Sequence, residues 1–528
     1  MREPMAPAAA MDAFRFWGRV APERTALVER GRDVRLSYRD LDVAADRWAG
    51  ALHGAGVRAG DRVAVLAGNR HEVVSLLVGC TRLGAALVPL NWRLAAPELA
   101  PVLDDARPAL VVGEARFRAV GEALLARAAT PLRWLDLDDD APALLDRHAG
   151  TAVSARPLDP ETPALVLYTS GTTGAPKGAL LPNRQLLHNA VATTTAWQLG
   201  ADDVLPVSTP FFHTGGWNVF ATPIWHRGGA VVLFERFEPG DFLDGLAAER
   251  CTVGFGVPTQ LLMLLDHPGW RPLPALRGWL SGGAPCPPSV GDRIRDAGYR
   301  FREGYGLTEC GPNCFTITDD EAERRPGVVG WPVPFLETRL VDGDGHDVPD
   351  GETGELLLRG PQLFAGYLNA PERTAEVMTT DGWLRTGDLA RRDADGAHRI
   401  AGRRKEMYIS GGENVFPGEV EAALADCPGV AEVVVVGVPD ARWGEVGRAF
   451  VQPRSGAQLC ESDVVAHARG RLAGYKVPKS VVVLAELPRL GSGKPDRAAL
   501  GSRLSAADGV AESRAPSAEG REPHRRTP

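Results

Sequence analysis

Between about residue 11 and residue 340 the chain alternates short apolar runs with longer stretches whose apolar positions recur at helical spacing. The runs "RVAVLAG" (62–68), "AALVPL" (85–90), "ALVVG" (109–113), "ALVLYTS" (164–170) and "AVVLFE" (230–235) predict strands. Their alternation with helical patterns predicts a parallel sheet covered by helices. From Asn183, the spacing of Leu186, Leu187, Ala190, Val191 and Thr194 predicts a helical face, with Asn183 as its N-cap. Beyond about 340 the pattern turns to hairpins, as in "VDGDGHDVPDGETGELLLRG" (341–360). Its acids imitate a calcium loop, but the twelfth position from Asp342 is Thr353 where that loop requires Glu.

After "GRRKEMY" (402–408) a compact alternation follows: helix (419–426), strand "AEVVVVGV" (431–438), helix (462–472) and strand "SVVVLAEL" (480–487). The organisation expected is a large N-terminal domain over 11–402, a linker at 403–405 and a small α+β domain over 406–500. Residues 1–10 and 501–528 are rich in Ala, Pro, Ser, Glu and Arg and read as disordered tails.

Composition narrows the classes. The chain has 528 residues, 44% apolar, which is ample for more than one core. A formal net charge of -8 argues against a nucleic-acid partner, which would call for a basic stripe. No apolar run is long enough to span a bilayer and no secretory h-region opens the chain, so the expectation is a cytoplasmic protein without integral membrane association. The cysteines number 7, odd and scattered, which suits a reducing compartment. Cys310 and Cys314 form a CxxxC with no second pair beside it, and read as buried or wall-lining thiols rather than zinc ligands. Only Lys177, Lys405, Lys476, Lys479 and Lys494 among the 59 cationic residues are lysine, so each marks a place where a compact ammonium is used instead of a planar fork.

Lys177 closes "YTSGTTGAPKG" (168–178), dense in hydroxyls and glycine. A Walker loop needs glycine directly before its lysine and a helix directly after; here Pro176 precedes Lys177 and "GALLP" reads as a strand. The loop is therefore expected to join two strands, its backbone N–H groups and hydroxyls forming an anion nest beside a mobile point charge.

This stretch resembles the phosphate loop of the adenylate-forming superfamily: acyl-CoA synthetases, carrier-linked adenylation domains and luciferases. Further segments resemble that family in its order: "PFFHTGG" (210–216), "SGGAPCP" (281–287), "GYGLTE" (304–309), "GWLRTGD" (382–388), "GRRKEMYISGGENVFPGEVE" (402–421) and "GSGKPDR" (491–497). The resemblance implies an α/β fold, a large N-terminal domain of helix-covered sheets with a β-barrel-like part and a small mobile α+β C-terminal domain. It also implies ATP, Mg2+ and CoA as partners of a carboxylic acid in two half-reactions, acyl-AMP formation with release of pyrophosphate and then transfer to a thiol.

Carried over by resemblance, Thr169, Ser170, Gly171, Thr172, Thr173, Gly174 and Lys177 cradle the terminal phosphates. Thr308 meets the α-phosphate and Glu309 the magnesium ion. Gly282, Gly283 and Ala284 let backbone approach the adenine, on which Tyr305 stacks, with Gly306 beside it. Asp388 and Arg403 hold the ribose. Lys494 brings carboxylate and α-phosphate together, while His213 is a gate or wall near the acyl carboxylate. Gly215, Gly216, Trp217, Asn218 and Val219 line the acyl pocket, across from Gly306. Lys405 is the hinge residue, and Gly411 and Gly412 line the CoA tunnel. Lys476, Lys479 and Trp443 match family segments, with solvated surface an equal reading for the two lysines.

The favoured expectation is an acyl-CoA ligase for a medium- or long-chain fatty acid or an arylalkanoic acid, as a monomer or homodimer. The alternative is an enzyme loading an acyl carrier protein. "PFFHTGGWNVF" (210–220) offers no Asp to pair an amino acid's α-amino group. GxSxG and HExxH are absent, which removes the common hydrolase and zincin readings.

Overall fold

The computed structural model describes residues 12–127, 132–150, 158–169, 176–490 and 494–501. The chain divides into two compact units, Met1–Arg404 and Lys405–Pro528.

In the first unit a six-stranded sheet runs in the order Trp134–Asp136, Leu110–Gly113, Arg62–Leu66, Ala86–Pro89, Pro163–Thr169, Lys177–Pro182. The first five strands are parallel, and the last is antiparallel to its neighbour with Thr169 opposite Lys177. Val63, Leu66, Leu87, Val112 and Val166 are wholly buried, as expected of a sheet covered on both faces, where strands read as unbroken apolar runs. A second sheet orders Val34–Ser37, Thr25–Glu29, Ala230–Leu233 and Val204–Val207.

A third, wholly parallel sheet holds Val253–Gly256, Gly278–Ser281 and Arg300–Glu303. Its last two strands deliver "SGGAPCP" and "GYGLTE" side by side from their carboxyl ends, the edge at which open α/β sheets bind ligands. The barrel-like part is the antiparallel sheet Glu337–Val341, Thr353–Arg359, Leu384–Arg392, His398–Arg403. The ribbon Phe315–Thr316 with Trp331–Pro332 lies beside it through a Gly330–His398 bridge.

The helix Asn183–Ala196 departs from its expected form. Asn183 is its first residue and Pro182 its N-cap, because the Asn183 amide Nδ2 instead donates to the Asp159 carbonyl at 3.0 Å. Of the expected face Ala190 and Thr194 are buried but Leu186, Leu187 and Val191 are only partly covered, and the residues wholly buried are Gln185, Asn189, Ala192 and Thr193. The polar face is buried because the neighbouring segments offer unpaired backbone groups. The Gln185 amide donates to the Thr308 carbonyl (3.0 Å), and that of Asn189 to the Asn218 carbonyl (2.7 Å). A buried carbonyl without a donor would cost more than the burial of the amide.

In the second unit, strands Tyr408–Ser410, Val430–Asp440, Gly444–Pro453 and Ser480–Val483 and the short Glu413–Val415 form one sheet. Helices Pro417–Ala425 and Glu461–Arg469 join Tyr408, Val420, Leu424, Val435, Val451 and Val464 in a core of their own. The second of these helices and the last strand are both shorter than the apolar pattern suggested. Residues 497–501 are helical and Leu500 is completely buried, while the tails expected over 1–10 and beyond 501 lie outside the described residues.

Candidate active site

Pro163–Thr169 and Lys177–Pro182 flank the hydroxyl-rich loop, so the loop does join two strands. Thr169 and Lys177 face each other as the terminal rung of the hairpin. Ser170, Gly171, Thr172, Thr173 and Gly174 lie outside the described residues. The Lys177 ammonium stands 5.2 Å from the centroid of the Tyr367 ring, a cation–π separation. The phenol of Tyr367 in turn donates to Glu309 Oε1 at 2.7 Å. Burial, and then the Glu309 charge, hold that phenol well above its ordinary pKa, so it stays a donor at any physiological pH.

Thr308–Cys310 is a single 3-10 turn. Its carbonyls are met in order: Thr308 by the Gln185 amide, Glu309 by the Phe364 N–H (2.7 Å) and Cys310 by the Gln362 amide (2.9 Å). Gly306 is obligatory here. A Cβ on it would lie 2.3 Å from the Gly311 carbonyl oxygen, and backbone cannot yield. Cys310 and Cys314 are both buried with sulfurs 3.1 Å apart, and burial raises the Cys310 thiol far above its usual range. They are packed thiols, as expected.

Asp388 is 3% exposed, presented by a strand that bulges immediately after it. Its Oδ1 pairs with Arg403 Nε at 2.7 Å and its Oδ2 accepts from the Tyr305 hydroxyl at 2.5 Å. Burial and the Asp388 charge keep Tyr305 protonated. Tyr305, Asp388 and Arg403, remote in sequence, are thus hydrogen-bonded together, and Tyr305 shares its loop with Glu309. A continuous chain of contacts results: Lys177, Tyr367, Glu309, the 305–309 loop, Tyr305, Asp388, Arg403.

Gly282 is buried with room beside it, a Cβ there meeting nothing closer than 3.4 Å, while Gly283 takes a φ of +83° and Ala284 is exposed. Behind them, burial raises the Glu303 carboxyl and pushes the Cys286 thiol up to about 12. His213 is half-buried, its ring 4.6 Å from that of Phe212. Gly215–Val219 forms a π-helical turn. A Cβ on Gly216 would come within 2.6 Å of the Pro210 carbonyl oxygen, whereas one on Gly215 would meet only the Thr209 methyl at 3.1 Å. Within this turn Trp217 is wholly buried and stacked on Phe211 at 3.9 Å, donating Nε1–H to the Phe211 carbonyl. The indole therefore sits in the core, together with Asn218 and Val219.

In the second unit, Gly411 and Gly412 both have positive φ at the tip of the Tyr408–Val415 hairpin. A Cβ on Gly411 would press on the Trp443 ring at 2.8 Å, and the Gly411 N–H donates to the Trp443 carbonyl at 2.8 Å. Arg442 (5.0 Å) and Lys479 (5.9 Å) both stand within cation–π range of the Trp443 ring, and Lys476 pairs with Glu419. Lys405 opens this unit, and Lys494 is exposed, its carbonyl accepting from the Leu490 N–H.

Three residues of the large unit were missed in the sequence: Gln185, Gln362 and Tyr367. The glutamines gave no signal, being amides at positions that a polarity pattern assigns to solvent. Tyr367 stands in "AGYLNAPERT" (365–374), where a tyrosine flanked by glycine before a proline-opened helix was the available clue.

The family described as AMP-binding enzyme matches residues 14–368, and the AMP-binding enzyme C-terminal domain matches 419–494. The chain is 40% identical over 480 residues to a feruloyl-CoA synthase of Amycolatopsis sp, covering 90% of this chain and 95% of that protein. It is 41% identical over 485 residues to an indoleacetate–CoA ligase of Aromatoleum aromaticum, covering 90% and 94%. Among solved structures it resembles o-succinylbenzoate coenzyme A synthetase (MenE) of Bacillus subtilis in complex with ATP and magnesium ion. That match has a TM-score of 0.84 and 29% identity and covers 94% of this chain and 99% of the other. Among the described residues no helix is long and apolar enough to cross a membrane.

Proposed function

The chain belongs to the AMP-binding enzyme family, and from that premise we propose that it is an ATP-dependent carboxylic acid–CoA ligase whose acid is aromatic. The observation that carries the nucleotide part is the contact chain from Lys177 through Tyr367 and Glu309 to Tyr305, Asp388 and Arg403. It supports one site with a sugar-binding carboxylate at one end and a cation beside a hydroxyl-rich loop at the other. The aromatic acid rests on the two relatives at 40% and 41% identity, named for feruloyl and indoleacetate.

In this reading Asp388 accepts the ribose hydroxyls, Arg403 keeps its carboxylate oriented, and Tyr305 supplies the adenine platform. Lys177, with Thr169 and the loop of Ser170–Gly174, holds the departing pyrophosphate. Glu309 suits a magnesium ion: it is a hard oxygen donor whose carboxylate is oriented by the Tyr367 hydroxyl. Magnesium, when bound, neutralises phosphate charge.

The acid's carboxylate oxygen bonds to the α-phosphorus and pyrophosphate leaves. The CoA thiolate then bonds to the acyl carbon, and AMP leaves with the carboxylate oxygen. Adenylation is needed because thiolate cannot expel oxide. Thr308 donates to the α-phosphate, and the Lys494 ammonium bridges two mutually repelling anions during the first step. Lys405, Gly411 and Gly412 serve the change to the second step and the pantetheine path, and the π-helical turn after His213 shapes the acyl wall.

The test is a panel of arylalkanoic, arylpropenoic and straight-chain acids with ATP, magnesium and CoA, following AMP and thioester together. Aromatic acids are expected to show the highest kcat/KM. A preference for long-chain acids would overturn the substrate class, and AMP formed only with a carrier protein would overturn the acceptor.

A further inference from the structure

Tyr367 belongs to none of the segments singled out above for chemistry, yet the fold takes trouble to place it. The segment 365–368 is sewn to the outer edge of the Lys177 strand. The Leu180 N–H donates to the Gly366 carbonyl (2.9 Å), the Ala365 N–H to the Leu180 carbonyl (2.9 Å) and the Leu368 N–H to the Gly178 carbonyl (2.7 Å). Ala179 and Tyr367 face each other as an antiparallel bridge. Gly366 takes a φ of +119°, and a Cβ on it would press on the Thr374 methyl at 3.0 Å. Thr374 Oγ1 accepts the Tyr367 N–H at 2.9 Å. The ring is pinned from the side by Phe364, edge-on at 5.0 Å. Backbone, neighbouring helix and ring packing thus fix the phenol between a cation and a carboxylate.

On the reading of this site as one for magnesium and ATP, we propose that Tyr367 is a positioning residue that couples the metal-side carboxylate to the phosphate-side lysine. Its hydroxyl donates to Glu309 Oε1, which restrains the torsions of that side chain, and Glu309 would meet the metal with its remaining acceptor capacity. Its ring face seats the Lys177 ammonium. A partner of this kind orients a metal ligand without touching the metal, and its loss typically weakens metal affinity about tenfold or more.

The two contacts separate cleanly by substitution, because Tyr367→Phe removes the hydroxyl and keeps the ring, whereas Tyr367→Leu removes both. The measurement is ATP binding to the full-length protein by titration calorimetry across a series of magnesium concentrations, with melting curves to verify folding. Tyr367→Phe should raise the magnesium concentration for half-maximal enhancement of ATP binding by about tenfold, a larger effect than any it has on metal-free ATP binding. Tyr367→Leu should weaken both. Adding Tyr367→Phe to Glu309→Gln should have no further effect, because the hydroxyl acts only through that carboxylate.

An unchanged magnesium dependence in Tyr367→Phe overturns the proposal, as does an equal loss of metal-free and metal-dependent binding, or strict additivity with Glu309→Gln. A wild-type protein that binds no ATP at any magnesium concentration removes the functional reading itself, and this inference with it. If wild type binds and Tyr367→Phe is indistinguishable from it, only the positioning role falls.

Discussion

Asp388→Asn is the substitution whose consequences can be worked furthest. The carboxylate is buried, with Arg403 Nε at 2.7 Å on one oxygen and the Tyr305 hydroxyl at 2.5 Å on the other. Asn has the same shape but no charge, and it turns an N–H donor toward one of those two donors. Without ligand, the Arg403 pair is lost, but its guanidinium side chain is 49% exposed and its share is below about 1 kcal/mol. The Tyr305 bond changes from charged to neutral, a difference of about 1 kcal/mol. These two contacts together come to about 2 kcal/mol, a drop of a few degrees in melting temperature.

Ligand binding loses more. Two ribose hydroxyls would exchange charge-assisted bonds for neutral ones, about 2–4 kcal/mol together, or roughly 30- to 1000-fold in ATP affinity. Titration calorimetry with ATP and with its 2′-deoxy and 3′-deoxy analogues separates the ribose role from general damage. Wild type should bind the deoxy analogues markedly more weakly than ATP, and Asp388→Asn should scarcely distinguish them. An Asn variant that binds ATP like wild type, or that discriminates against the deoxy analogues as strongly as wild type does, would refute the assignment.

Three further outcomes follow from other parts of the molecule. Lys494→Ala should abolish acyl-AMP formation yet spare thioester formation from supplied acyl-AMP, read by following each half-reaction alone; equal loss of both would show that the lysine does not serve the first step specifically. Gly306→Ala should cost about 1–3 kcal/mol through its clash with the Gly311 and Pro312 backbone, while Gly282→Ala, whose Cβ would make an ordinary contact at 3.4 Å with the Gly304 carbonyl oxygen, should leave the melting temperature within error. His398 is buried on one side of the antiparallel sheet, and burial, with Arg392 nearby, lowers its pKa from the ordinary 6.5 to about 4. The unfolded chain takes up this proton as pH falls through 6.5 and the folded chain does not until about 4. This contribution is accordingly intact above 6.5 and lost between 6.5 and 4, up to about 3 kcal/mol, and His398→Gln should flatten the fall in melting temperature over that window.

The parallel strands were legible because sheets covered on both faces leave continuous apolar runs, and the strand after Lys177 was legible from Pro176, which no helix-opening phosphate loop places there. Asp388, Tyr305 and Glu309 could be singled out through their segments, but not their mutual contacts, since Tyr305 and Asp388 meet across 83 residues of chain. The helix from Asn183 misled for a physical reason. Periodicity places polar residues toward water, whereas Gln185, Asn189 and Thr193 turn inward to satisfy carbonyls of irregular segments whose existence only the folded chain reveals. The π-helical turn at Gly215–Val219 is the same kind of case: two adjacent glycines announce a close approach, and only packing on the Pro210 carbonyl says to what.

The central claim is that a carboxylate is activated by transfer of AMP before a thiol receives the acyl group. A substrate acid labelled with heavy oxygen in its carboxylate tests it most directly, with the phosphorus-containing products weighed by mass spectrometry after turnover with ATP, magnesium and CoA. The account predicts one labelled oxygen in AMP and none in pyrophosphate. Label in inorganic phosphate with ADP as the nucleotide product, or AMP released without label, would contradict it.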